Sequence, residues 1–271
     1  MNSEGIPVAL VTGAAVGIGK ATAEALVRAG YQVFGTSRRA TAAPSPDVTM
    51  LVCDVTDDAS VERAVQEVVA RAGRIDVLVN NAGRSLIGGA EESSVEQAQS
   101  LCDVNVFGIL RMTNAVLPIM RDQGSGRIIN ISSVLGFLPG PFTALYSSTK
   151  HAVEGYSESL DHELRSFGIR VSLVEPAFTR TALEEHGEQP DRISSVYDEG
   201  RSAMNSTWRT AIAAGDPAEA VGAAVVQAAT DQSPRIRYTP GKRAARLRLL
   251  RRFVPEKAFE KSYRKQMNLS A

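Results

Sequence analysis
The chain has 271 residues, 44% of them hydrophobic and 22% charged, with 30 basic and 30 acidic side chains. That length suits one large α/β domain or two small ones, and the zero formal net charge removes any global electrostatic case for a nucleic-acid binder. MNSEGIPVALVTG has no basic leader-like segment and no apolar stretch is long enough to cross a bilayer, so the expected setting is the cytoplasm.

PVALVTG (7–13) is an apolar run bounded by glycine and reads as a buried strand. GKATAEALVRAG (19–30) puts Ala21, Ala25, Leu26 and Ala29 on one helical face and stops at Gly30. YQVFGTSR (31–38) and VTMLVCDV (48–55) are the next strands, followed by a helix from near Asp57 to Gly73. IDVLVNNAG (75–83) is a strand entering a turn, and one long helix is expected over roughly 93–121. GRIINISS (126–133) is a strand, 146–167 a helix and IRVSLVEP (169–176) a strand. A helix near 217–230 and a short strand near Arg235–Tyr238 close the alternation. Continuous apolar strands alternating with helices predict a parallel, doubly wound Rossmann-type sheet covered on both faces. No internal linker divides it, so residues 1–240 form one domain. Within it 182–215 is a polar, irregular segment capping the substrate, and 241–271 is a basic extension.

TGAAVGIG (12–19) lies between the first strand and the first helix. Gly13, Gly17 and Gly19 permit a tight turn and let a phosphate approach the unpaired N–H groups of the helix N-terminus. A glycine-rich loop alone is equally a plain turn. With NNAG (80–83) and YSSTK (146–150) in the same order, however, the chain resembles the short-chain dehydrogenase/reductase family over about residues 6–181, with a flavour of its steroid- and retinol-active members. The resemblance implies a dinucleotide held by Gly13, Ala15, Gly17, Ile18 and Gly19, with Asp54 and Val55 at the adenine. It also implies Asn81, Ala82 and Gly83 along the adenine ribose. Pro176, Thr179 and Thr181 of PAFTRT (176–181) match the segment that meets the carboxamide, although Ala177 stands where that pattern has glycine, a cost if the position needs φ > 0.

The second strand ends Thr36-Ser37-Arg38-Arg39, without an acid to bind both ribose hydroxyls. A guanidinium there grips a 2′-phosphate, so NADP(H) is expected, with Arg38 and then Ser37 as contacts; Arg39 is as well read as a solvated surface residue.

Tyrosine ionises only near pH ~10. Lys150 shares a helical face with Tyr146, and a charge at ~4 Å in an effective dielectric of ~20 contributes roughly 4 kcal/mol, or about 3 pKa units as an upper figure. The pair can therefore hold a tyrosine where proton transfer works, though on spacing alone it is equally a core tyrosine and a surface lysine. The family pattern implies Ser133, rather than its neighbour Ser132, as holder of the substrate oxygen, and Asn105 as holder of a water linking Lys150 to solvent. The expected reaction is NADP(H)-dependent interconversion of a carbonyl and a secondary alcohol. The other reading is a catalytically silent nucleotide-binding regulator or scaffold.

Leu183, Ile193, Val196, Tyr197, Met204 and Trp208 either line an apolar pocket or form a packed lid, and Phe137, Leu138 and Phe142 suggest an apolar wall, which points to a hydrophobic small-molecule carbonyl or alcohol substrate. Cys53 and Cys102 read as reduced thiols, His151, His162 and His186 show no ligand spacing, and no metal is expected. The family's habit implies a homo-oligomer. In 241–271, ten basic residues face two acids (10 − 2 = +8), with Leu247, Leu249, Leu250 and Phe253 interleaved. Docking of these four on the body is preferred to a membrane-surface helix, and Pro255 should end the helix.

Overall fold
The two-residue period of a strand decides the layering. A computed structural model describes residues 5–180 and 188–266. In β1 (Val8–Val11), Val8 and Leu10 enter one apolar layer while Ala9 and Val11 enter the other. The chain continues through α1 (Gly17–Arg28), β2 (Gln32–Ser37), β3 (Val48–Val52), α2 (Asp58–Ala72) and β4 (Val77–Asn80). It then runs through α3 (Val95–Cys102), α4 (Gly108–Gln123), β5 (Gly126–Ile131), α5 (Ala144–Leu164) and β6 (Ile169–Val174). The last part holds β7 (Thr179–Arg180), α6 (Asp198–Ala213), β8 (Asp216–Pro217), α7 (Ala218–Thr230), β9 (Arg237–Tyr238), α8 (Gly241–Phe253) and α9 (Glu256–Gln266).

Among the described residues, seven strands form one parallel sheet in the order β3-β2-β1-β4-β5-β6-β9, with β7 and β8 paired apart from it. Val61, Ala64, Val65 and Val68 of α2, Met112, Val116 and Met120 of α4, and Leu160 and Leu164 of α5 cover one face. Ala23 and Leu26 of α1, with Val221, Val225 and Ala228 of α7, cover the other. This is the doubly wound Rossmann sheet expected from the sequence. The strand order reverses between β1 and β4, and a ligand crevice forms at such a point beyond the carboxyl ends of the strands.

Local chemistry sets several boundaries. Asp57 caps α2 by accepting from the Ser60 N–H at 2.7 Å, and Gly73 ends it with φ +73. The long helix expected over roughly 93–121 runs without a break from Val95 to Gln123, through α3 and α4, and widens into a π-turn at Asp103–Phe107. Asn105 lies inside that turn, with its side chain bonded to the backbone of Arg84 (2.8 and 2.9 Å) and to Thr149 Oγ1 (3.1 Å). Such a turn is a frequent mark of a functional site. Residues 198–213, expected to be irregular, are the helix α6. Its Arg201 is anchored to the buried Glu92, which also accepts from the N–H groups of Gly89 (2.7 Å) and Ser194 (2.9 Å). Pro255 separates α8 from α9, as expected.

The docking expected of four tail residues is realised by only one of them. Leu247 packs with Ala244, Val254, Phe259 and Tyr263 against Val134, Leu138, Phe137 and Ala177. Leu249 and Phe253 are 59% and 71% exposed, and Leu250 is exposed as well. The reason is spacing: Ala244 and Leu247 lie on the inner side of α8, and the other three lie on the outer side.

Candidate active site
A cavity of about 660 Å³ opens at the carboxyl ends of the sheet strands. Its floor at one end is the loop after β1. Gly13 and Gly17 have φ +65 and +56, and a Cβ on Gly19 would run into the Gly13 carbonyl. The loop therefore folds back on itself only with glycine at these positions, leaving N–H groups free for an anion at the start of α1. Thr12 locks this loop to β4: its Oγ1 accepts from the N–H groups of Asn81 (2.9 Å) and Ala82 (3.0 Å). Asn81 Nδ2 returns a bond to the Thr12 carbonyl at 2.9 Å. Ala15, Ile18, Ser37, Arg38, Asp54, Val55 and Gly83 complete the walls of this end. Arg39 is not among them. Asp54 accepts from Thr56 N–H (2.9 Å) and Oγ1 (2.7 Å); these bonds, then the charge of Arg38, hold its carboxyl below the usual range. The cradle fits the pyrophosphate and adenosine of a dinucleotide.

The chemistry-bearing side chains gather in the middle of the cavity. Ser133 follows β5 in extended backbone (φ −163), and its Oγ accepts from Leu135 N–H at 3.2 Å. Ser132 also touches the cavity but is 2% exposed, and a Cβ on Gly136 would lie 2.7 Å from its Oγ. Tyr146 and Lys150 sit one turn apart on α5, with Nζ 5.7 Å from the tyrosine ring centroid. Nζ also donates to the Ile131 carbonyl at 2.9 Å. Burial pushes the Lys150 amine down to about 8, against the pull of the neighbouring Glu154 carboxylate. Asn105 is not a cavity wall: it ties the Arg84 backbone to α5 through Thr149. Pro176 and Thr179 line the cavity, and Thr181 lies outside the described residues. Ala177 has no left-handed φ, since Phe142 (φ 59) is the one non-glycine residue with positive φ among those described. Alanine there carries no conformational cost.

The far end is apolar and partly built by the tail. Leu138, Phe178, Trp208 and Ala211 line it together with Arg243 and Leu247 of α8 and Tyr263 of α9. Trp208 packs edge-on to Phe178 at 5.4 Å, and Arg243 lies 4.8 Å from the Phe178 ring. Met204 is buried behind Trp208, beside Leu135. Ile193 and Val196, expected as pocket walls, are 61% and 83% exposed, because Ser194 and Arg201 anchor this segment through their polar groups. Tyr197 is spent on Phe142 and on Glu91 (2.9 Å), and Phe137 lies beneath Arg248; Leu183 lies outside the described residues. Sequence reasoning missed Arg243, Leu247 and Tyr263 as walls, and also the Arg84–Glu188 ion pair at the rim. The alternating Arg and Leu of 243–252 was the available signal, but it does not say which side faces the body.

The model of the short chain dehydrogenase family matches residues 7–191. The chain belongs to the short-chain dehydrogenase family. Within it, a relative from Bacteroides thetaiotaomicron named 3-ketodihydrosphingosine reductase is 43% identical over 200 residues, 73% of each chain. A short-chain dehydrogenase structure from Streptomyces avermitilis is 35% identical with a TM-score of 0.80, covering 97% of this chain and 99% of that one. A family structure from Burkholderia phymatum holding NAD is 27% identical (TM-score 0.77; 92% and 94% covered). A serine dehydrogenase structure holding NADP+ is 28% identical (TM-score 0.74; 86% and 93% covered). This short-chain dehydrogenase is thus an oxidoreductase of small molecules that uses a nicotinamide dinucleotide. No described helix is long and apolar enough to cross a membrane.

The buried lysine gives this dehydrogenase a predicted pH response. Glu154 lies one turn beyond Lys150, its Oε2 3.0 Å from Arg237 Nε. Replacing Glu154 by Gln removes a negative charge that favours the ammonium, so the amine should lose its proton at lower pH. The alkaline limb of the kcat/KM profile should therefore move to lower pH in Glu154→Gln. A limb that stays in place would remove Glu154 from the control of Lys150.

Proposed function
We propose that the protein is an NADP(H)-dependent reductase and dehydrogenase that interconverts a ketone and a secondary alcohol on a hydrophobic small molecule. The observation that carries this reading is one cavity in which Ser133, Tyr146 and a mostly buried Lys150 lie between a dinucleotide cradle and an apolar end. A bound nicotinamide supplies or takes the hydride at the carbonyl carbon. Ser133 Oγ donates to the substrate oxygen and steadies the charge that develops on it. Tyr146 passes its phenolic proton to that oxygen, or takes one from the alcohol. Lys150, held by the Ile131 carbonyl, favours the tyrosinate by its charge and offers its remaining protons to the nicotinamide ribose. Asn105 keeps Arg84 and α5 in register, so its part is positioning.

Arg38 at the adenosine end, with no acid at the end of β2, supports NADP(H) over NAD(H). The apolar far wall supports a hydrophobic substrate, and the name of the 43% identical relative is that of a ketone reductase. A screen of hydrophobic ketones followed by NADPH absorbance tests the activity; no consumption across the panel, with NADPH bound, would overturn it. For the cofactor, Arg38→Asp removes a phosphate grip and adds a repelling charge. The NADP(H):NAD(H) ratio of kcat/KM should fall on the order of 10²-fold, from about 2.7 kcal/mol of lost discrimination. An unchanged ratio would mean that Arg38 does not read the phosphate.

A further inference from the structure
Helix α8 has two unlike faces. Residues step about 100° around a helix, so Lys242, Arg246, Leu249, Leu250 and Phe253 share an arc of about 100°. The opposite side buries Ala244, presses Leu247 on the body and sends Arg248 to the buried Glu175. On the outer arc Leu249 and Phe253 are 59% and 71% exposed, and Lys242 and Arg246 are exposed beside them. Exposed large apolar side chains are ordinary when scattered singly; three within five residues form a patch. That patch sits in a helix, GKRAARLRLLRRF, with six basic residues and no acid. The chain as a whole is neutral, so this charge is local.

We propose that the outer face of α8 seats on an anionic lipid bilayer. Cations flanking a short apolar strip match a surface of phosphate headgroups over acyl chains, with Leu249, Leu250 and Phe253 entering the boundary between them. A second copy of the chain fits less well, because a two-fold contact through this face would set each cluster of cations against its own copy. A nucleic acid would satisfy the cations and leave the apolar strip in water. The other side of the same helix supplies Arg243 and Leu247 to the cavity wall, with Tyr263 of α9 beside them. Taken with the hydrophobic substrate proposed above, on which this step rests, a seated α8 leaves an apolar substrate about one helix diameter, ~10 Å, between bilayer and cavity.

The test is co-sedimentation of the full chain with phosphatidylcholine vesicles, with and without phosphatidylglycerol, at low and high salt. The wild type should pellet with the anionic vesicles about tenfold more strongly than with the neutral ones, and high salt should release it. Lys242→Glu/Arg246→Glu and Leu249→Ser/Leu250→Ser/Phe253→Ser should each weaken binding about tenfold while keeping the melting temperature and the turnover of a water-soluble ketone. Turnover of a ketone dissolved in the vesicles should fall in both variants. Equal binding to both vesicle types, unchanged binding in either variant, a dimer that the triple substitution dissociates, or preferential capture of RNA would each overturn the proposal. The vesicle measurement needs no catalysis, so a failure of the ketone-reductase reading would leave it standing.

Discussion
Tyr146→Phe should lose about 10²–10⁴-fold in kcat/KM for carbonyl reduction, the usual contribution of a positioned general acid. The substitution removes the phenolic proton and leaves the ring, whose contacts with Leu135, Met204 and Trp208 hold this part of α5 in place. The dissociation constant of NADPH, read by fluorescence, should stay within about twofold, since the glycine loop and the Asn81–Gly83 turn are untouched. Near-normal turnover in the mutant would take Tyr146 out of the reaction. Loss of cofactor binding along with turnover would point to a structural part instead.

Ending the chain at Pro240 should be the most destabilising of the changes considered. It strips Leu247, Phe259 and Tyr263 from Val134 and Leu138, and at ~25 cal/mol per Å2 such side chains contribute several kcal/mol before entropy costs. It also takes Arg248 from Glu175, a fully buried carboxyl whose other cation is Arg237 at 3.3 Å. Burial, then the neighbouring Glu154, hold the Glu175 proton on well above the usual carboxylate range, with Arg248 and Arg237 opposing. Without Arg248 the carboxyl loses one of the two cations that oppose this, so it keeps its proton more firmly, and the lost contact costs about what a hydrogen bond to a charged group does, roughly 1.5–3 kcal/mol. A loss on the order of 5 kcal/mol in total should lower the melting temperature by about 10 °C or more. An unchanged melt would mean that the tail adds nothing to the body.

The sheet was legible because its strands are continuous apolar runs and its turns carry glycine, signals that reside in neighbouring residues. The cofactor cradle was legible for the same reason: Gly13, Gly17 and Gly19 are local requirements of one turn. The π-turn was not, because nothing in DVNVF breaks a helix; the bonds between Asn105 and the Arg84 backbone cross 21 residues of sequence. Helix α6 was missed because its buried face carries Arg201, whose counter-charge Glu92 lies 109 residues away. An arginine reads as solvent-facing until its partner is known. For the tail, the sequence showed that apolar residues alternate with cations, but only the positions of Val134 and Leu138 decide which of them turn inward.

The composite cavity also has an order of assembly. Its cradle and its serine, tyrosine and lysine come from residues 13–150, whereas Arg243, Leu247 and Tyr263 are made last among its walls. At a ribosomal rate of about 5–20 residues per second, synthesis from residue 150 to residue 263 takes roughly 6–23 seconds. Until residues 243–263 are made, Leu138 and Phe178 lack these walls and face water. The substrate end closes only as translation finishes. A chain stalled before residue 243 would therefore have nothing to enclose a ketone, and its uncovered apolar wall would be open to chaperones.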